Sequence, residues 1–138
     1  MYDIEHLSSE IINEAIGMKV TDLHFIPQED HCLITYRLHG HIKQWKTIKP
    51  RLADRLISHF KYRSDMDIGE RRKPKSSSMV HKVQDSAYAL RLSTLPTNNN
   101  ESLAIRILPC FSTQTLSSLA VLQDHTKILY EITALSQG

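Results

Sequence analysis

The sequence predicts an α+β domain, with a mostly antiparallel sheet of about six strands and helices packed on it. Three observations carry this. The patterns run helix, three strands, helix, three strands, helix. Successive strands are joined by short turns, which dictate antiparallel pairing, because a parallel return needs a crossover of about a dozen residues or more. The apolar residues also change period, from 3.6 in the helical stretches to 2 in the strands. A sheet with one apolar face needs a cover, and the amphipathic helices provide it.

Residues 3–18 read as the first helix. Ile4, Leu7, Ile11, Ile12, Ala15 and Ile16 fall on one stripe. Asp3 or Ser9 can cap its start, and Gly17 lies near its end. Asp22–Pro27 alternates and reads as a short strand. Cys32–Leu38 is rich in β-formers and reads as a second. His39-Gly40 is a two-residue turn in which Gly40 accepts a positive φ. Residues 42–48 return as a third strand carrying the only tryptophan, Trp45.

Pro50, favoured in a first turn, starts a helix to about residue 64. Leu52, Leu56, Ile57 and Phe60 form its buried face, with Arg51, Arg55, Lys61 and Arg63 mostly outside. Residues 65–75 read as a charged connector and Ser76-Ser77-Ser78 as a flexible continuation. Residues 79–84 and 87–95 are strands about an Asp85-Ser86 turn, and residues 102–108 close the sheet. Residues 109–122 read as loop. Residues 126–135 read as a last helix with Ile128, Leu129, Ile132 and Leu135 inward.

At 138 residues the chain is the size of one ordinary domain. With 41% hydrophobic residues it can bury a core, and 23% charged with 7% aromatic residues suits a soluble globular protein. The net charge of +2, from 17 basic and 15 acidic residues, is far from that of a dedicated nucleic-acid-binding domain, so no direct nucleic-acid contact is expected. No apolar run approaches the roughly 20 residues of a membrane span. The polar, acidic N-terminus does not read as a signal peptide. Two distant cysteines, Cys32 and Cys110, read as packed small hydrophobes in a reducing cytosol.

The stretch from Leu90 to Leu108, LRLSTLPTNNNESLAIRIL, is the most informative. Thr97-Asn98-Asn99-Asn100 is a turn signal between two alternating runs. Folding symmetrically about it sets Leu90 against Ile107, Arg91 against Arg106 and Leu92 against Ile105. The aliphatic residues then share one face and the arginines the other. Like charges directly opposite are destabilising. A guanidinium pair so placed suits a carboxylate or a phosphate. The plainer alternative is that each arginine pairs with a carboxylate, such as Glu101 or one on the connector.

Other candidates are thinner. The connector Glu70-Arg71-Arg72-Lys73-Pro74-Lys75 is either an anion or partner contact through Arg71 and Arg72, or a solvated linker with salt bridges to Asp65, Asp67 and Glu70. His39 and His41 flank a tight turn, but two histidines without a third ligand make a weak metal site, so no metal is expected. There is no G-x-x-x-x-G-K-[ST], G-x-S-x-G or H-E-x-x-H, and Gly17, Gly40, Gly69 and Gly138 are too dispersed to cradle phosphate. No catalytic residue is therefore expected in the chain itself.

Five segments in order carry a family resemblance. They are Thr21-Asp22-Leu23-His24-Phe25-Ile26-Pro27; Tyr36-Arg37-Leu38-His39-Gly40; Met66-Asp67-Ile68-Gly69-Glu70-Arg71-Arg72-Lys73-Pro74; Leu90-Arg91-Leu92-Ser93-Thr94-Leu95-Pro96-Thr97; and Glu101-Ser102-Leu103-Ala104-Ile105-Arg106-Ile107-Leu108. This series resembles the N-terminal domain of the secretion ATPases that drive type II secretion and type IV pilus assembly, and its wording is most similar to the competence branch. The chain departs from the family at Lys75-Ser76-Ser77-Ser78, where Q-D-G-R is usual, at Ile26 in place of an acid, and at His39 in place of an aspartate.

The resemblance implies a single domain over residues 1–138, truncated before a RecA-like P-loop domain. It implies a homohexameric motor using ATP and Mg2+ in the full-length protein, with neither cofactor expected for this domain alone. Arg91 and Arg106 are then the nucleotide-binding residues, reaching ATP phosphates. The implied partners are the domain's own RecA-like ATPase domain, neighbouring subunits and the pilus platform inner-membrane protein. The implied location is cytoplasmic, peripheral at the inner face of the cell membrane. The alternative is a non-catalytic docking module for a membrane platform protein or a neighbouring subunit.

Overall fold

The computed structural model describes residues 3–69, 72–97 and 100–112. The order is α1 (Ile4–Met18), β1 (Asp22–Pro27), β2 (Cys32–Leu38), β3 (His41–Ile48), α2 (Pro50–Arg63), β4 (Lys75–Val83), β5 (Ser86–Thr97) and β6 (Asn100–Ser112). The strands form one sheet in the order β3-β2-β1-β6-β5-β4, and every neighbouring pair is antiparallel. Two helix-plus-three-strand meanders thus meet at β1 and β6. The expected α+β class is borne out. The last expected helix, 126–135, lies outside the described residues.

Local chemistry explains the boundaries. Asp3 caps α1 by accepting a hydrogen bond from the His6 amide at 3.3 Å. The helix runs through Gly17 and stops at Lys19, whose φ of +63° is left-handed and whose amide closes on the last carbonyls. His39 and Gly40 both have positive φ, as a tight primed hairpin turn demands. Gln84, with φ +54°, puts the next hairpin turn at Gln84-Asp85, one residue earlier than expected.

Alternation divides the sheet into a covered and an open face. Leu23, Phe25, Ile34, Leu90, Leu92, Leu103 and Ile105 are buried under the helices. Helix α1 contributes Ile11, Ile12 and Ala15, and α2 contributes Leu56, Ile57 and Phe60. Phe25 meets Phe60 edge to face, with centroids 6.0 Å apart. Cys32 is a buried free thiol, and desolvation pushes its pKa up to about 11, so it behaves as the small hydrophobe expected. The side chain of Cys110 lies outside the described residues.

Four expectations need correction. Lys61 is not on the outer face of α2; it is 1% exposed, and its Nζ donates to Glu101 Oε1 and Oε2 at 2.9 and 3.0 Å. It lies four residues after Ile57, so helical spacing returns it to the buried stripe. Glu101, on the covered side of β6, supplies the counter-charge there and is therefore unavailable to either hairpin arginine.

Ser76-Ser77-Ser78 is not a flexible continuation but part of β4. The three serines pair with Ser93, Leu92 and Arg91, and Ser77 Oγ turns inward to donate to Ser64 Oγ at 2.7 Å. The connector is anchored at its start as well. Met66 is buried, Asp67 accepts from the Gly69 amide at 2.9 Å, and Lys61 Nζ reaches the Ile68 carbonyl at 3.4 Å.

The fourth correction is at residues 109–112, read as loop but belonging to β6. Pro109 is tolerated because β1 pairs only with Leu103–Arg106 and the carbonyl of Thr21, just before β1, takes the Ile107 amide; nothing described flanks that side further on. Residues 113–122 lie outside the described residues.

Helix α1 is tied to the far sheet edge by a titratable group. His81 of β4 is 6% exposed, and its Nε2 lies 2.8 Å from Asn13 Oδ1. Burial, and then the Arg63 charge, lower its pKa from the ordinary 6.5; His59 is lowered by the same two causes in the same order. The unfolded chain therefore binds protons that the folded chain refuses. Stability is fully present above about pH 6.5 and falls as the pH drops through the folded values. Thermal melts at about pH 7.5 and about pH 5 are expected to show a loss of stability that shrinks in the His59→Gln/His81→Gln double variant. An equal loss in that variant would assign the pH dependence to other groups.

Candidate functional site

The open face carries two rows of side chains running across the strands. Antiparallel register places Ser78, Arg91, Arg106, Asp22 and Arg37 in one line, from β4 through β5, β6 and β1 to β2. The next line is Ser76, Ser93, Ala104 and His24. The expected hairpin register is borne out: Arg91 faces Arg106, between Leu90–Ile107 and Leu92–Ile105. Its turn residues Asn98 and Asn99 lie outside the described residues.

Ser76, Ser93 and Ala104, the small side chains of the second row, leave a trough of about 380 Å³ on the open face, lined by Asp22, His24, Ser76, Ser78, Arg91 and Arg106 among others. The first row is strongly positive, since it carries three guanidiniums and one carboxylate. Arg106 Nε donates to Asp22 Oδ1 at 3.1 Å, and Arg37 Nε stands 4.0 Å from Asp22 Oδ2. No hydrogen bond or ion pair engages Arg91 among the described residues. Arg106 leans towards Asp22, which draws its charge away from Arg91 and leaves Arg91 facing the trough.

Such a trough offers guanidinium forks and serine hydroxyls, the donors that suit phosphate oxygens. Its one carboxylate is engaged by arginine, and no group of three or more His, Cys, Asp or Glu is placed to hold a metal among the described residues. The trough can therefore stabilise a polyanion but does not by itself assemble a metal centre.

The other candidates are placed elsewhere. Arg72 is exposed in the bend before β4 and does not line the trough; Arg71 lies outside the described residues. His39 and His41 are exposed at the β2–β3 turn, and Cys32 is at the opposite end of β2. Sequence reasoning missed Asp22, Arg37 and the β4 serines as neighbours of the arginines. Alternation alone could have put Asp22 and Arg37 on open faces, but only the β1–β6 pairing joins them to Arg106.

The model of the Type II/IV secretion system protein family matches residues 2–138. The chain is 40% identical over 121 residues to the competence protein ComGA of Bacillus subtilis (strain 168), covering 88% of this chain and 34% of that protein. It is 33% identical over 105 residues to the type II secretion system protein E of Dickeya dadantii (strain 3937), with 76% and 21% covered. It is 36% identical over 101 residues to the type IV pilus assembly ATPase PilB of Acinetobacter baylyi, with 72% and 17% covered. The chain thus spans between about a sixth and two fifths of the length of the curated relatives it matches. A family match over nearly the whole chain, together with these relatives, shows that the chain belongs to the Type II/IV secretion system protein family.

Proposed function

We propose that this chain is the N-terminal, nucleotide-sensing and force-transmitting domain of a hexameric ATPase that powers competence pilus assembly for DNA uptake. Arg91 and Arg106 supply positive charge to ATP phosphates held by a RecA-like P-loop domain outside residues 1–138. Movement of this domain against the ATPase domain carries force to the pilus platform protein in the inner membrane. The motor works on the cytoplasmic face of that membrane; among the described residues no helix is long and apolar enough to cross it.

The observation that carries the reading is the directly opposed Arg91–Arg106 pair over a trough of small polar side chains. Two guanidiniums in register repel, and a phosphate between them removes the repulsion. The trough supports contact with phosphate oxygens. Mg2+ and the attacking water are left to the P-loop domain, because this chain has no phosphate-cradling loop. Mg2+ bound there would supply neutralising charge to the phosphates.

The reading is tested by equilibrium binding of Mg-ATP to the longer protein that carries both domains. Arg91→Gln and Arg106→Gln are each expected to weaken binding of the triphosphate more than that of the diphosphate. Equal affinities for wild type and both variants, with either nucleotide, would remove the arginines from the site.

A further inference from the structure

We infer that Asp22 is an exchange partner: it holds Arg106 until an anion enters the trough, and Arg37 then takes Arg106's place on the carboxylate. This rests on the reading of Arg91 and Arg106 as phosphate ligands.

The register makes the exchange available. Asp22 is the direct cross-strand partner of Arg106 on one side and of Arg37 on the other. Its carboxylate is the fixed member, 14% exposed, with Thr21 Oγ1 donating to Oδ2 at 2.8 Å. The two guanidiniums are the mobile members, with side chains 61% exposed for Arg106 and 45% for Arg37. Of the two guanidiniums, Arg106 alone is within hydrogen-bond range of the carboxylate, at 3.1 Å; Arg37, at 4.0 Å, is attracted to the other oxygen without bonding to it.

An anion beside Arg91 competes with Asp22 for Arg106. If Arg106 simply left, a largely buried carboxylate would lose its charge-assisted hydrogen bond, a cost set against anion binding. Arg37 removes that cost by closing about 1 Å onto Oδ2, within the reach of a flexible arginine. Arg37 does not line the trough. It acts on the anion only through Asp22 and Arg106, as a positioning residue. The consequence is specific. Asp22 weakens anion binding, Arg37 strengthens it, and the Arg37 effect exists only while Asp22 carries its charge.

The test uses tripolyphosphate as the probe, with ATP in a parallel series, and reads both affinity and the arginine Nε–Hε resonances. In the wild type, titration is expected to shift the Arg106 resonance and to slow solvent exchange of the Arg37 Hε. Arg37→Gln is expected to weaken binding by about twofold to tenfold, the range of one hydrogen bond. Asp22→Asn is expected to tighten binding and to abolish the effect of Arg37→Gln, a non-additivity that independent sites do not show. A ligand-free arm uses Arg106→Gln, in which the Arg37 Hε is expected to become protected without any anion.

Additive effects of Asp22→Asn and Arg37→Gln, or an Arg37 Hε indifferent to Arg106→Gln, overturn the exchange while leaving the phosphate reading intact. Tripolyphosphate and ATP binding that ignores both Arg91→Gln and Arg106→Gln overturns the phosphate reading, and the hand-over with it. Because the ligand-free arm and the binding arm fail separately, the two ideas are told apart.

Discussion

The Lys61→Met variant is expected to lose about 3–5 kcal/mol of stability, because it takes from the buried Glu101 carboxylate the ammonium that bonds both of its oxygens. Lys61 is 1% exposed and Glu101 5%, and the ammonium touches both carboxylate oxygens. Burying a carboxylate alone is far more costly than burying it paired. Glu101→Gln is expected to be milder, since its amide oxygen still accepts a hydrogen bond from Lys61. The Lys61→Met/Glu101→Leu double variant removes both charges and is expected to recover most of the loss. Thermal melts of the four proteins check this, with a drop on the order of 10 °C for Lys61→Met. A double variant as unstable as Lys61→Met would show that packing, not the lost ion pair, sets the cost.

The ion pair also has a structural consequence. It joins the end of α2 to the tip of the β5–β6 hairpin, and the same ammonium reaches the Ile68 carbonyl of the connector. Two adjoining segments, the end of α2 and the connector after it, meet a strand forty residues away on one charge. Arg91 and Arg106 stand on the opposite face of that hairpin, so its position bears on the trough.

The second large effect concerns Arg91. On the proposed function, Arg91→Ala in the longer protein is expected to lower ATP turnover by about a thousandfold, the lower end of what a phosphate-directed arginine contributes to phosphoryl transfer. The loss is expected mainly in kcat, because charge on the transferring group grows towards the transition state. Arg106→Ala is expected to cost less, because Arg106 must first be released from Asp22, which it bonds at 3.1 Å, before it serves the phosphate. Arg91→Lys is expected to recover only part of the activity, since an ammonium cannot offer the planar fork. Steady-state assays of the three variants decide it, and wild-type turnover in both alanine variants would sink the assignment.

Much of this molecule is legible along the chain. Strand β2 coincides with the β-former-rich run Cys32–Leu38, and the turn at His39-Gly40 follows from the one residue there that takes positive φ freely. The alternation LRLST against AIRIL fixes the β5–β6 register and with it the opposition of Arg91 and Arg106. The motif series identifies the family, which the comparisons show. These features are local, set by the period of the side chains and by a few turn residues.

What the sequence left unread depends on contacts between distant segments. Residue type put Lys61 outside, whereas helical spacing and a partner forty residues away put it in the core. Three serines read as flexible until their pairing with β5 made them a strand. Asp22 and Arg37 belonged to separate motifs until β1 docked beside β6 and made them neighbours of Arg106. A strand's pattern says which face is buried and which is open, and that much this sequence determined by itself. Which strand lies alongside which is settled by the packing of the whole sheet, and here that packing alone decided the charge environment of the arginines.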